Sequence, residues 1–128
     1  MSGERKEISV AGAPRAIGPY SQAVEVGDLL FCSGQIPLDP ASGELVDGDF
    51  ACQVRRALDN LGAVLAGAGM DFTNLVKVNV SLVELSRFEE FNAIYESCLG
   101  DARPARAVVG VATLPRGAAV ELEAVASR

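Results

Sequence analysis

Apolar residues near the middle of the chain repeat first with the period of an α-helix and then with the period of a β-strand. From Phe50 to Ala68 they recur at 3.6-residue spacing, which predicts an amphipathic helix with Asp49 as its N-cap. From Leu75 to Val83 they alternate with polar residues, which predicts a half-buried strand. The strand residues expected to share the apolar face are Val76, Val78, Val80 and Leu82. The helix residues expected on the polar side are Gln53, Arg56, Asp59 and Asn60. A helix followed directly by such a strand favours a fold that packs helices on a sheet.

Turn-forming residues divide the first third of the chain. Residues 1–17 are rich in glycine and proline, so we expect a partly arm-like segment with one short strand at residues 7–10. Residues 24–26 and 29–32 flank Gly27-Asp28. A glycine in the first place of a two-residue loop indicates a type II′ hairpin turn.

A second helix and two strands are predicted after residue 85. Ser86 and Glu89 have capping-box spacing, which is expected to open a helix that ends at Gly100. Its predicted apolar stripe comprises Phe88, Phe91, Tyr95 and Cys98. Residues 106–112 and 118–126 are expected to be strands. The result is a single α+β domain over residues 1–128, a sheet with two helices packed on one face.

The sheet face away from the helices is predicted to be too apolar for open solvent. Residues 107–111 are apolar on both sides of the pleat, and Val120 and Leu122 alternate with Glu121 and Glu123. A face of this kind is normally covered. We therefore expect a homo-oligomer in which sheet faces pack across subunits.

The composition excludes several kinds of chemistry. The chain has no histidine, which removes Ser-His-Asp and Cys-His nucleophiles and imidazole metal ligands. Its three cysteines, Cys32, Cys52 and Cys98, form no C-x-x-C pair. Their odd number and wide spacing argue against a disulfide framework or a zinc site, and we expect them to be packing residues in a reducing compartment. We predict no metal and no cofactor.

Charge and hydropathy bear on partners and location. Eleven basic and seventeen acidic residues give a net charge of −6, and Arg55-Arg56 is the only adjacent basic pair. Such a chain is repelled by phosphate backbones and anionic membranes, so we expect no nucleic-acid and no membrane partner. The sequence also shows no signal-peptide pattern and no long apolar stretch, which favours a cytoplasmic location.

Two charged residues are the strongest candidates for chemistry. Arg106 follows Pro104 and opens a predicted strand among apolar neighbours, where its guanidinium could bind a substrate carboxylate through two hydrogen bonds. The alternative is an arginine at a sheet end that pairs with a surface carboxylate. Glu121 interrupts an apolar strand and, if partly buried, could hold or deprotonate a water. The alternative is a carboxylate on a solvated face or in an interfacial salt bridge.

Two polar turns are weaker candidates. Tyr20 lies in the stretch Gly18–Gln22, where its hydroxyl could point into a cleft. Ser33 ends a predicted strand, and Gly34 would let a ligand approach the backbone closely. Both stretches could equally be structural turns.

Six short motifs, in order along the chain, resemble those of the YjgF/RidA reactive-intermediate deaminase family. They are Gly18–Ala23, Ser33–Pro37, Gln53 with Asn60-Leu61, Phe91–Tyr95, Pro104–Arg106 and Leu114–Glu121. Together they extend from about residue 14 to residue 126, nearly the whole chain. Each motif alone is weak, but six in register are specific.

The resemblance implies a fold, an assembly and an activity. The fold would be chorismate-mutase-like, and the assembly a homotrimer with three active sites at subunit interfaces. The activity would be hydrolysis of 2-imino acids, which derive from 2-aminoacrylate and its homologues, to 2-keto acids and ammonia. No cofactor or metal is implied, since an iminium carbon is already electrophilic.

The resemblance also assigns roles to residues. Arg106 matches the carboxylate-binding arginine and Glu121 the acidic residue that positions water. The residues that match substrate-binding pocket positions are Tyr20, Ser33, Gly34 and Asn92. Val108 stands where many members have a cysteine; this position offers mainly its backbone to the ligand, so valine should be tolerated.

Two other functions remain compatible with the sequence. One is a non-catalytic regulatory module of the same fold that binds 2-keto acids or other carboxylates. The other is RNA cleavage or inhibition of translation, an activity assigned to some members of the family. Binding alone would need only Arg106, so the presence of Glu121 favours the enzyme, and the acidic charge disfavours RNA.

Overall fold

The computed structural model describes residues 4–128 and contains one six-stranded sheet with two α-helices. The elements in chain order are β1 (Arg5–Ile8), β2 (Ala23–Val26), β3 (Leu29–Gln35), α1 (Phe50–Gly67), β4 (Leu75–Leu82), α2 (Phe88–Leu99), β5 (Ala105–Gly110) and β6 (Val120–Ser127). The strand order is β1-β2-β3-β6-β4-β5. The β4–β5 pair is parallel and every other pair is antiparallel. The predicted α+β fold class is confirmed.

Both helices pack on the same face of the sheet. The buried side chains of the adjacent strands β4 and β6 include Val78, Val80 and Leu82 on β4 and Val120, Leu122, Ala124 and Ala126 on β6. The helices cover them with Leu58, Leu61 and Leu65 of α1 and Phe91 and Tyr95 of α2. One continuous core lies between the helices and the sheet, as expected from the periodicities. No helix within residues 4–128 is long and apolar enough to cross a membrane.

α1 has the predicted ends but not the predicted polar side. The Asp49 side chain accepts a hydrogen bond from the Cys52 N–H at 2.9 Å, which caps the helix. The prediction that Asn60 faces solvent is wrong, because Asn60 is fully buried. Its amide donates to the carbonyls of Ile36 and Leu38 at 3.2 and 3.0 Å. The loop after β3 crosses α1 there, and its buried carbonyls require a donor.

The predicted face of β4 is correct except at its first residues. Leu75 is buried and Val76 is 48% exposed, the reverse of the expectation. The pairing of β4 with β6 shifts register between Leu75 and Lys77. Such an irregularity reverses the alternation on its N-terminal side. Val78 and the residues after it keep the predicted orientation.

The start of α2 differs from the prediction. Ser86 lies inside a 3-10 turn at Leu85–Arg87, and α2 begins after it with no side-chain cap, so the predicted capping box is wrong. A capping box forms instead between Asp71 and Asn74, just before β4. The predicted stop at Gly100 is confirmed by its φ of 62°.

The N-terminal segment is tied to the first hairpin. β1 lies two residues earlier than predicted and pairs with β2. The buried Gln22 side chain accepts from the Val10 N–H at 2.7 Å and donates to the Pro14 carbonyl at 2.9 Å. In the β2–β3 turn, Gly27 has a φ of 59° and Asp28 has no positive φ, which is the combination that a type II′ turn requires.

Candidate functional site

Arg106 and Glu121 lie on opposite faces of the sheet. Arg106 on β5 pairs with Val78 of β4, which is buried on the helix face. Glu121 on β6 pairs with Ser81 of β4. Paired residues project to the same face, and residues an odd number of positions apart on one strand project to opposite faces. Arg106 is therefore on the helix face and Glu121 on the open face, so one chain does not bring them together.

The Arg106 guanidinium is anchored on one side and free on the other. Its Nη1 donates to Asn92 Oδ1 at 2.7 Å. Its central carbon lies 5.0 Å from the centre of the Tyr95 ring and 5.5 Å from that of Phe88. Within residues 4–128, Nε and Nη2 have no hydrogen-bond partner, and no carboxylate forms an ion pair with Arg106. The free edge is the one that a ligand carboxylate could bind through two hydrogen bonds.

A cavity of about 390 Å³ opens beside this arginine. Its polar lining residues are Asn92, Glu96, Arg103 and Arg106. Arg103 is already occupied, because it donates to the carbonyls of Gly100 and Ala102 and lies 3.5 Å from a Glu96 oxygen. Arg106 is therefore the cation available to an anionic ligand in this cavity.

A second cleft, of about 570 Å³, contains the other candidate residues. Tyr20, Ser33, Gly34 and Glu121 all line it. Tyr20 is half-exposed at its edge, and Ser33 Oγ donates to the Ser21 carbonyl at 2.6 Å. The structure therefore brings these two motifs, distant in sequence from Glu121, into one cleft with it. Asn92 and Arg106 belong to the first cavity.

The environment of Glu121 favours a proton-accepting role. Partial burial raises the pKa of the Glu121 carboxyl above its ordinary value of 4.5, and the nearby negative charge of Glu123 raises it further. A carboxylate with a raised pKa is a stronger base when ionised. Glu121 could therefore hold a water in the cleft and take a proton from it.

Val108, Cys32 and Cys98 lie in packing positions, whereas Cys52 is partly buried and is not part of the core. Val108 pairs with Val80 on the helix face, where its partly buried side chain packs on the core. Burial raises the pKa of the Cys32 thiol to about 12 and also raises that of Cys98. Both side chains stay protonated near neutral pH, so neither is an activated nucleophile. Among residues 4–128, no group of three or more cysteine or acidic side chains could hold a metal ion.

The sequence analysis did not identify the aromatic residues around Arg106. Phe88 and Tyr95 were predicted only as core residues of α2. Their spacing to Asn92, at positions i, i+4 and i+7, was a usable signal, because such residues share one helix face. What the sequence could not show is that the Arg106 side chain projects from β5 toward this face of α2.

Comparison with known proteins gives consistent similarities. A family model described as endoribonuclease L-PSP matches residues 10–128. The 2-iminobutanoate/2-iminopropanoate deaminase of Homo sapiens is 50% identical over 122 residues, which are 95% of this chain and 89% of that one. The E. coli YjgF gene product is 42% identical with a TM-score of 0.91, over 96% of this chain and 98% of that one. E. coli TdcF, in a structure with bound serine, is 37% identical with a TM-score of 0.91 over the same shares.

Proposed function

The chain belongs to the endoribonuclease L-PSP family, which includes YjgF and its RidA relatives, and we propose that it is a 2-iminobutanoate/2-iminopropanoate deaminase. It hydrolyses these reactive 2-imino acids to 2-keto acids and ammonia. The observation that carries the proposal is the 50% identity, over nearly the whole chain, to deaminases of this name. The anchored, unpaired Arg106 and the partly buried Glu121 supply groups that such chemistry needs.

We propose a homotrimer with the active sites between subunits. Arg106 and Glu121 face opposite sides of one sheet, so a site containing both requires two chains. The open face also exposes apolar side chains, among them Phe31 at 47% and Val109 at 51%. A second copy of the chain that covers these side chains removes their apolar surface from water, which favours association.

Arg106 of one subunit binds the substrate carboxylate. Its Nε and Nη2 edge forms two charge-assisted hydrogen bonds, which fix both the position and the plane of the 2-imino acid. The imine carbon is then held in one orientation relative to the neighbouring subunit. This converts an encounter between imine and water into a reaction within a fixed geometry.

Glu121 of the adjacent subunit positions the attacking water. The water oxygen forms a bond to the imine carbon as Glu121 accepts one of its protons. Glu121 then gives that proton to the nitrogen of the carbinolamine. As the C–N bond breaks, the hydroxyl proton passes to Glu121 and the keto acid and ammonia are released; ammonia takes up this proton, which leaves Glu121 ionised again. Tyr20, Ser33 and Gly34 line this cleft and surround the substrate. No metal or cofactor is required, because the protonated imine is already electrophilic.

The test generates 2-iminopropanoate and 2-iminobutanoate with an amino-acid oxidase in the presence of semicarbazide. A deaminase competes with the trap, so adding the protein should lower the yield of semicarbazone and raise that of free keto acid. A module that only binds carboxylates would leave the yield of semicarbazone unchanged while still binding pyruvate. A parallel incubation with single-stranded RNA tests the nuclease named in the family description.

A further inference from the structure

Three residues on one face of α2 surround the Arg106 guanidinium. Asn92 Oδ1 accepts from its Nη1 at 2.7 Å. The rings of Tyr95 and Phe88 lie 5.0 and 5.5 Å from its central carbon, within the range of cation–π attraction. Phe88, Asn92 and Tyr95 are spaced i, i+4 and i+7, so a single helix presents all three.

Together, the three contacts restrict both the position and the rotation of the guanidinium group. The rings restrict where the guanidinium can lie, and the hydrogen bond from Nη1 fixes its rotation in its own plane. All three contacts leave Nε and Nη2 unpaired. An arginine held in this way loses less conformational freedom when it binds a carboxylate, so binding is stronger than for a mobile side chain.

Tyr95 contacts Arg106 through its ring and not through its hydroxyl. Tyr95 is only 8% exposed, and its ring also packs on Phe91 with ring centres 5.4 Å apart. Its hydroxyl is buried and has no hydrogen-bond partner among the described residues. A buried hydroxyl without a partner normally destabilises a fold. The ring contacts the guanidinium and the hydroxyl bonds to no described group, so the ring is the part that can position Arg106.

We propose that Phe88, Asn92 and Tyr95 are positioning residues that orient Arg106 for carboxylate binding. The inference rests on the proposed function in one respect: it takes the substrate carboxylate as the ligand of Arg106. It assigns Asn92 to the arginine rather than to direct contact with the substrate.

Binding of pyruvate, measured by calorimetry, tests the proposal without relying on turnover. Tyr95→Leu should raise the Kd for pyruvate about 3- to 30-fold, and should raise KM for the imine more than it lowers kcat. Tyr95→Phe keeps the ring and should bind within about twofold of the unmodified protein. Ile94→Val trims a neighbouring buried α2 side chain and controls for a general loss of stability. Phe88→Leu, at the half-buried rim, gives a second variant if Tyr95→Leu does not fold.

Two binding results would overturn the proposal. One is unchanged pyruvate affinity in Phe88→Leu and Tyr95→Leu. The other is an equal loss in Tyr95→Phe and Tyr95→Leu, which would make the hydroxyl the functional group. In the Arg106→Ala background, Tyr95→Leu should have no further effect on affinity, since the ring acts only through the arginine.

A ligand-free measurement separates this proposal from the proposed function. Ring currents of Tyr95 and Phe88 should shift the NMR resonances of the Arg106 guanidinium protons upfield. Tyr95→Leu should reduce that shift, and Tyr95→Phe should retain it. If pyruvate does not bind but these shifts are present, the carboxylate assignment fails and the orientation of Arg106 stands. If the shifts are absent from the unmodified protein, the positioning proposal fails.

Discussion

Gly34 lies so close to the Glu121 carboxylate that a Cβ atom built on it would stand 2.8 Å from Oε2. It would also stand 2.9 Å from Cδ. Real Cβ atoms do not approach other atoms so closely, so any larger residue must displace the carboxylate. Gly34 on β3 therefore constrains the position of Glu121 on the neighbouring strand β6.

Gly34→Ala should consequently impair catalysis more than stability. Moving a reacting group by about 1 Å can cost on the order of 10²-fold in rate, so we expect kcat to fall about 10- to 100-fold. Binding of pyruvate through Arg106 should persist. Steady-state kinetics and calorimetry measure the two effects. Gly12→Ala is the control, because its Cβ would meet Ala63 at an ordinary 3.4 Å. An unchanged kcat in Gly34→Ala would contradict the proposal that catalysis depends on the position of the Glu121 carboxylate.

Arg106 and Glu121 should fail in different ways when substituted. Arg106→Ala should abolish imine hydrolysis and weaken pyruvate binding by about 2–5 kcal/mol, since a charge-assisted pair loses one side. Arg106→Lys should restore little, because an ammonium lacks the planar fork. Glu121→Gln should keep pyruvate binding and lower kcat about 10²–10⁴-fold, because the amide cannot accept the proton. Normal turnover by Glu121→Gln would leave Glu121 as an interface carboxylate only.

Mixing two inactive variants should restore activity if the site spans subunits. In a trimer of Arg106→Ala and Glu121→Gln chains, some interfaces combine the intact Arg106 of one chain with the intact Glu121 of another. Random reassembly of equal amounts should regenerate about a quarter of the sites. Activity is assayed after mild denaturation and refolding of the mixture. The controls refold each variant alone and the unmodified protein alone. If the unmodified protein recovers its activity and the mixture does not, Arg106 and Glu121 do not act together in a site between subunits.

The pH dependence should report the raised pKa of Glu121. Glu121 accepts a proton only when ionised, so kcat should rise with pH through a pKa above the ordinary 4.5. Glu123→Gln removes the neighbouring negative charge that raises this pKa, so it should move the acidic limb to lower pH. If the acidic limb of the kcat profile does not move, that limb reports the titration of a group other than Glu121.

The same raised pKa predicts a stability effect of defined sign. When the pKa of a carboxyl is higher in the folded protein than in the unfolded chain, the protonated group stabilises the fold at pH values below the unfolded pKa. This stabilisation is lost as the pH rises through the folded-state pKa. Glu121→Gln should therefore gain thermal stability relative to the unmodified protein at neutral pH and not at pH values below 4.5. Thermal unfolding at both pH values measures the difference.

Gly67 should be required for packing rather than for helix formation. A Cβ there would overlap Val10 Cγ1 and would lie 3.1 Å from Ile8 Cγ2. Alanine favours a helix over glycine by about 1 kcal/mol, but overpacking of this kind costs about 1–3 kcal/mol. We expect Gly67→Ala to lower the free energy of unfolding in urea. Gly62→Ala, in the same helix with a 3.4 Å contact to Phe72, should be neutral or stabilising.

The parts of the fold that depend on local periodicity could be predicted from the sequence. The span of α1, the β2–β3 turn and the orientation of Val78 each follow from residues close in the chain. Asn60 and Val76 were predicted wrongly because tertiary contacts decide them. A crossing loop needs the Asn60 amide, and an irregularity in the β4–β6 pairing reverses Val76.

The site was predictable as a set of residues but not as an arrangement. The family resemblance predicted one site of seven residues: Arg106, Glu121, Tyr20, Ser33, Gly34, Asn92 and Val108. Tyr20, Ser33, Gly34 and Glu121 line one cleft, whereas Arg106 and Asn92 line the other cavity. The separation of Arg106 from the cleft residues depends on the parallel register of β5 beside β4. A parallel pair needs a long crossover connection, so its register joins residues far apart in the chain and no local pattern in the sequence specifies it.

The strand order has a consequence for synthesis of the protein. β6 follows every other strand in the chain, yet it lies between β3 and β4 in the sheet. Before it leaves the ribosome, the β1–β3 hairpin group and the β4–β5 pair have no strand to join them. The edges of β3 and β4 that pair with β6 therefore stay without a partner until residues 120–127 emerge, and unpaired strand edges of this kind favour aggregation.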